Sequence, residues 1–249
     1  MAKKYYKLIA CEVLFREVCA AAVNCRNIID VSFMFRGLHD IGEEKMVAKI
    51  QEEIYKTEPD KYDAILLCYG LCNNGIKGLH APIPIVVPKA HDCITLFLGS
   101  KEKYRKYFDD NPGTYFKTSG WLERQANSDT SPGTILNQMG FGMDRQSLIE
   151  LYGEDNAEFL EEILNDMTPN YKQMTYIDMG FGMVEEDREE AKRLATKKEW
   201  EFEEVKGDNG LVSRLLDGDM ETWNEEEFLI VPPGKTIEPS YDDNVIKTK

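Results

Sequence analysis

The chain has 249 residues, 42% of them hydrophobic and 30% charged, and carries a formal net charge of −15. That length holds one large domain or two small ones. A field of this sign disfavours nucleic acid and anionic membranes as partners, and no apolar run approaches the roughly 20 residues that cross a bilayer. The basic start MAKKYYKLIACEVL has no proper apolar region or cleavage site, so no signal peptide is expected and a cytoplasmic location is the default.

Strand-like and helix-like patterns alternate from the start. KLIACEVL (7–14) reads as a strand running into a helix that continues through REVCAAAVNC, and IDVSFMF (29–35) reads as a second strand. EEKMVAKIQEEIYKT (43–57) places Met46, Ile50 and Ile54 at helical spacing. DAILLCYG (63–70) is nearly all apolar, as in a strand buried on both faces, and IPIVVP (83–88) is another. This alternation predicts an α/β fold, a mainly parallel sheet with crossover helices and an active crevice at the carboxyl ends of its strands.

The middle of the chain changes character. TYFKTSGW (114–121) reads as a short strand or loop, and the polar stretch from Leu122 to about Gly140 as a loop or partial lid. Residues 144–167 read as helical with a break near Gly153, then MTYIDMG (174–180) as a strand and VEEDREEAKRLATKKE (184–199) as an acidic, solvated helix. EFEEVK (201–206) is a strand, GLVSRLLDG (210–218) a short helix and EFLIVPPG (227–234) the last strand. The domain is expected to span residues 1–234, with a subdivision near 110–140, and residues 235–249 to form a surface tail. The pentapeptide MGFGM occurs twice, at 139–143 and 179–183, and suits a tight turn better than a ligand loop.

All six cysteines lie between Cys11 and Cys93. Clustering of this kind in a reducing compartment points to metal or redox chemistry rather than a disulfide framework. Cys11 ends the first strand pattern, Cys72 follows DAILLCYG, and Cys93 follows IPIVVP in KAHDC. Equivalent placement at three strand ends would aim three thiols into one crevice. Thiolates suit iron–sulfur clusters and zinc, and three of them leave an iron or a coordination position open. Cys68, Cys19 and Cys25 read as core packing. His91, two residues before Cys93, is the leading acid/base or fourth ligand. His39 is a second candidate for the crevice and His80 reads as exposed. Lys89, Tyr69 and Asn73 are minor candidates for the pocket. A metal-free Cys–His nucleophile is the rival chemistry.

The segments IACEVL, RGLHD, YGLCNNG, PKAHDC with ITLFLGS, and FLIVPPG resemble a bacterial and archaeal family, domain of unknown function sixteen-thirty-eight. The resemblance runs from about Tyr6 to Gly234. TYFKTSGW is similar to a family segment that has proline where this chain has Ser119. The resemblance implies Cys11, Cys72, Cys93 and His91 as the family-like set, and a link to corrinoid methyltransferase systems of anaerobes. A looser analogy of arrangement is quinolinate synthase, with three cysteines around a four-iron cluster. The expected function is therefore a metal–thiolate enzyme, with an iron–sulfur cluster or zinc, acting on a small molecule. The alternative is a non-catalytic corrinoid- or metal-binding accessory protein of a methyltransferase.

Overall fold

The computed structural model describes residues 3–72, 74–128, 149, 153, 154, 156 and 171–249. Its first sheet takes five strands: β1 (Tyr5–Cys11), β2 (Ile28–Met34), β3 (Ala64–Cys68), β4 (Ile85–Pro88) and β8 (Phe228–Val231). Their order is β2-β1-β3-β4-β8. The first four are parallel, and β8 runs antiparallel to β4. α1 (Phe15–Asn24) connects β1 to β2, and α2 (Glu43–Tyr55) connects β2 to β3. Met46, Ile50 and Ile54 are the buried residues of α2, as the helical spacing predicts. The five residues of β3 are all buried, which explains their unbroken apolar run.

After β4 the chain leaves this sheet through α3 (Cys93–Leu98) and α4 (Lys101–Asp110) and builds a second one. It has three parallel strands in the order β5-β6-β7: β5 (Thr114–Lys117), β6 (Gln173–Asp178) and β7 (Glu201–Lys206). α5 (Ser119–Ser128) follows β5, α6 (Val184–Lys197) joins β6 to β7, and α7 (Gly210–Asp217) leads back towards β8. Met174, Tyr176, Ala191 and Ala195 form the small core between β6 and α6, while Ile177 joins the main core. The start of the expected 122–140 loop is therefore helix. The rest of that loop, the first MGFGM and nearly all of 144–167 lie outside the described residues. At the second MGFGM, Gly180 and Gly182 have φ of +74° and +105°, as a tight turn requires.

The last residues depart from a surface tail. Two short strands, β9 (Ile237–Pro239) and β10 (Ile246–Thr248), pair antiparallel. Ile237, Val245 and Ile246 are buried in the main core. Apolar residues this sparse carry no periodic signal, and the hairpin emerges only in tertiary packing.

Candidate metal centre

The strand order places the site. From β1 the chain steps to one side to make β2, then crosses back over β1 to make β3. At such a reversal the flanking connections diverge and leave a crevice beyond the carboxyl ends of the two central strands. Cys11 is the last residue of β1, and Cys72 lies four residues past the end of β3. Cys93 opens α3 after the adjacent β4.

Two loops are clamped together to bring the latter two cysteines near each other. Leu71 N–H donates to the Ala90 carbonyl at 2.8 Å, and Cys72 N–H to the His91 carbonyl at 2.9 Å. Gly70 permits the approach, because a Cβ there would lie 2.6 Å from the Asp92 Cα. Asp92 then starts α3: one carboxylate oxygen accepts from Ile94 N–H at 2.9 Å and from Thr95 N–H at 3.4 Å. Its other oxygen accepts from the Tyr104 hydroxyl at 2.9 Å, so both sides of this carboxylate hold structure.

Cys72 itself sits in the left-handed region, with φ of +46°. A non-glycine residue there costs on the order of 1–3 kcal/mol and persists where the surroundings enforce it. The two backbone clamps enforce it here.

Cys11 and Cys93 are buried at 2% and 8% exposure, and Cys72 is half-buried. Burial pushes the Cys11 and Cys72 thiols up to about 12. Burial also raises the Cys93 thiol well above its ordinary value, and charge on Cys72, Asp92 or Cys11 raises it too. Cys72 is raised in the same way by Asp92 and Cys11. The three thiols are thus electrostatic neighbours, and all three are neutral near pH 7. Among the described residues, no group of three or more His, Cys, Asp or Glu side chains is already arranged to hold a metal ion.

A cavity of about 970 Å³ opens over this point, lined by Cys72, Cys93, His39 and His91. Its upper wall is aromatic, with Tyr104, Phe108, Tyr115, Phe116 and Tyr171, and Lys117 and Trp121 complete it. His91 is exposed at its edge. The second histidine reaches the thiols: His39 Nε2 lies 3.9 Å from Cys11 Sγ. Burial and the nearby Arg36 guanidinium hold the His39 imidazole below its usual range, which keeps it neutral.

Trp121 enters from the far sheet. A Cβ at Gly120 would meet the Val13 carbonyl oxygen at 1.8 Å, so glycine lets the start of α5 rest on the turn after Cys11. The Trp121 ring lies 6.4 Å from His39, and Arg36 stacks over it at 5.2 Å. The buried Trp121 indole nitrogen and Tyr69 hydroxyl form no well-made hydrogen bond among the described residues and lie against the Cys93 and Cys11 thiols. An orphaned buried donor costs about 1–3 kcal/mol.

Other sequence candidates fall elsewhere. Cys68 is fully buried and absent from the cavity wall. Cys25 is half-buried and its thiol donates to the Leu216 carbonyl at 3.1 Å. Cys19 is exposed rather than core, because Val18 and Ala21 take the inward face of α1. Lys89 donates to Asn244 at 2.9 Å and does not line the cavity. His80 is half-buried and contacts the Gly78 carbonyl and the Tyr55 hydroxyl at 3.1 Å each. Asn73 lies outside the described residues. Sequence reasoning missed Trp121 and Lys117; the signal was the aromatic density and the glycine of TYFKTSGW.

No helix among the described residues is long and apolar enough to cross a membrane. Neither a curated protein nor a solved structure matches the chain. A family model does match, over residues 33–216, a span that contains Cys72, His91 and Cys93 but starts after Cys11 and ends before FLIVPPG. The chain belongs to the family described as protein of unknown function, DUF1638.

Proposed function

We propose that this protein is a metal–thiolate enzyme whose Cys11, Cys72 and Cys93 hold an iron–sulfur cluster beneath the aromatic cavity. The observation that carries this reading is that Cys72 and Cys93 line one cavity at the reversal of strand order, with Cys11 at the end of the neighbouring strand as their electrostatic neighbour. The donor set fits the group. Thiolate sulfur is the ordinary ligand of such clusters, and a cluster takes one thiolate per iron rather than gathering three on one ion. Burial that raises all three thiols is also consistent with a cationic group that stabilises their ionised forms.

When bound, a cluster with three protein thiolates supplies an iron open to substrate as a Lewis acid. The chain's own residues supply the rest. Tyr104, Phe116 and Tyr171 wall the cavity and exclude water from a small substrate. His91, exposed on the same wall, is placed to give or take a proton there. His39 stays neutral and, through Nε2, stands against Cys11 to orient it. The resemblance to companions of corrinoid methyltransferases points to methyl-group metabolism as the setting.

Protein purified without oxygen is expected to contain iron and acid-labile sulfide and to give a cluster signal in electron paramagnetic resonance after reduction. Stoichiometric zinc without sulfide would replace the cluster with a zinc–thiolate site. A colourless protein with neither metal, active on its substrate, would overturn both.

A further inference from the structure

Two buried donors at this site face cysteine sulfur, Tyr69 towards Cys11 and Trp121 towards Cys93. Tyr69 is 2% exposed, and its hydroxyl lies against the Cys11 thiol without a well-formed hydrogen bond among the described residues. Its position follows from strand register. Ala10 on β1 pairs with Cys68 on β3, so the next residues along these parallel strands, Cys11 and Tyr69, are neighbours at the carboxyl edge. The Trp121 indole N–H is likewise buried and lies against the Cys93 thiol without a well-formed hydrogen bond among the described residues, on a residue that lines the cavity with Cys72 and Cys93. Indole nitrogen only donates, and a neutral thiol is a weak acceptor. Ionised sulfur is a much better one.

We infer that Tyr69 and Trp121 are the hydrogen-bond donors to the sulfurs of the bound cluster and its thiolates, and so set its reduction potential. This rests on the cluster reading above. Both donors stand beside sulfur, and cluster-bound sulfur accepts from them more strongly than a neutral thiol does. The arrangement answers a second question, why a phenol and an indole are held dry beside cysteines at an energetic disadvantage. A donor to cluster sulfur favours the reduced, more negative state, so it raises the potential. Tyr69 serves the Cys11 side and Trp121 the Cys93 side. Both act through sulfur, so they are positioning and tuning residues.

The test uses the full chain, reconstituted anaerobically with iron and sulfide. Potentiometric titration compares wild type with Tyr69→Phe and Trp121→Phe, each of which removes a donor and keeps an aromatic ring. Both variants are expected to load iron as wild type does and to titrate at more negative potential. Resonance Raman gives an independent readout: iron–sulfur stretching bands shift in heavy water for wild type, and less so for each variant. Tyr6→Phe is the control, since it removes a buried hydroxyl that donates to the Gly218 carbonyl instead; its potential should match wild type. Loaded variants with unchanged potentials and unchanged isotope shifts would overturn this inference and leave the cluster reading standing. A wild type that takes up no iron would overturn the cluster reading and this inference with it.

Discussion

Gly70→Ala is the sharpest single perturbation of the site's architecture, because it alters no ligand. The added methyl would sit 2.6 Å from the Asp92 Cα and 2.7 Å from its carbonyl carbon and amide nitrogen. All three are backbone, so no side chain can swing away. Restoring ordinary contact at about 3.4 Å requires the loops to part by roughly 0.8 Å. That separation strains the Leu71–Ala90 and Cys72–His91 hydrogen bonds, now 2.8 and 2.9 Å. Overpacking of this kind costs about 1–3 kcal/mol. In a chain of this size that lowers the melting temperature by roughly 2–12 °C. Cys72 and Cys93 move apart in the same step, so iron uptake on anaerobic reconstitution should fall well beyond the loss of stability. Differential scanning calorimetry and iron content together check it. A Gly70→Ala protein with wild-type melting temperature and wild-type iron would refute the claim that this glycine sets the spacing of the two thiols.

Glu17 predicts a pH dependence. It is 1% exposed, and burial raises its carboxyl from 4.5 to about 7. A raised folded pKa means the folded protein holds the proton more tightly. Its contribution is therefore fully present below about pH 4.5 and is lost as pH rises through about 7. The loss is on the order of 3 kcal/mol; Glu17→Gln should abolish that decline, as read by urea unfolding at pH 5 and pH 8. Gly120→Ala should detach the start of α5 from the turn after Cys11, quenching differences in Trp121 fluorescence between loaded and metal-free protein. Removal of residues 235–249 uncovers the core beside β8 and the Gly78–Leu79 turn and should cost on the order of 5 kcal/mol, seen as a lower urea midpoint; an unchanged midpoint would refute the packing role of Ile237, Val245 and Ile246. Cys19→Ser, at an exposed position, should leave both stability and iron content within error of wild type.

The parts of the fold legible in the sequence are those written in local periodicity. The run AILLC of β3 and the spacing Met46-Ile50-Ile54 of α2 announce their environments directly. Parallel pairing of the first strands followed from their alternation with helices. The antiparallel return of β8 did not, because no local pattern records which way a distant strand re-enters a sheet. A subdivision near 110–140 was expected, but no local pattern in TYFK or QMTYID says that β5, β6 and β7 pair with one another in a sheet of their own. The places of Cys11, Cys72 and Cys93 after β1, β3 and β4 were legible from the strand patterns that precede them. The place of Trp121 on the cavity wall was not, since it depends on Gly120 letting α5 meet Val13, a contact between residues more than a hundred positions apart. Cys19 shows the converse error: an alanine-rich helix reads as buried throughout, although only one of its faces is.

The most direct test of the central claim is the iron and sulfide content of anaerobically prepared protein, with single serine variants of the cysteines. Wild type is expected to hold about four irons and four sulfides per chain, and each of Cys11→Ser, Cys72→Ser and Cys93→Ser to lose most of both. Cys68→Ser, at a buried position outside the cavity wall, should keep them. Full iron and sulfide in all three ligand variants, or none in wild type, would contradict the account.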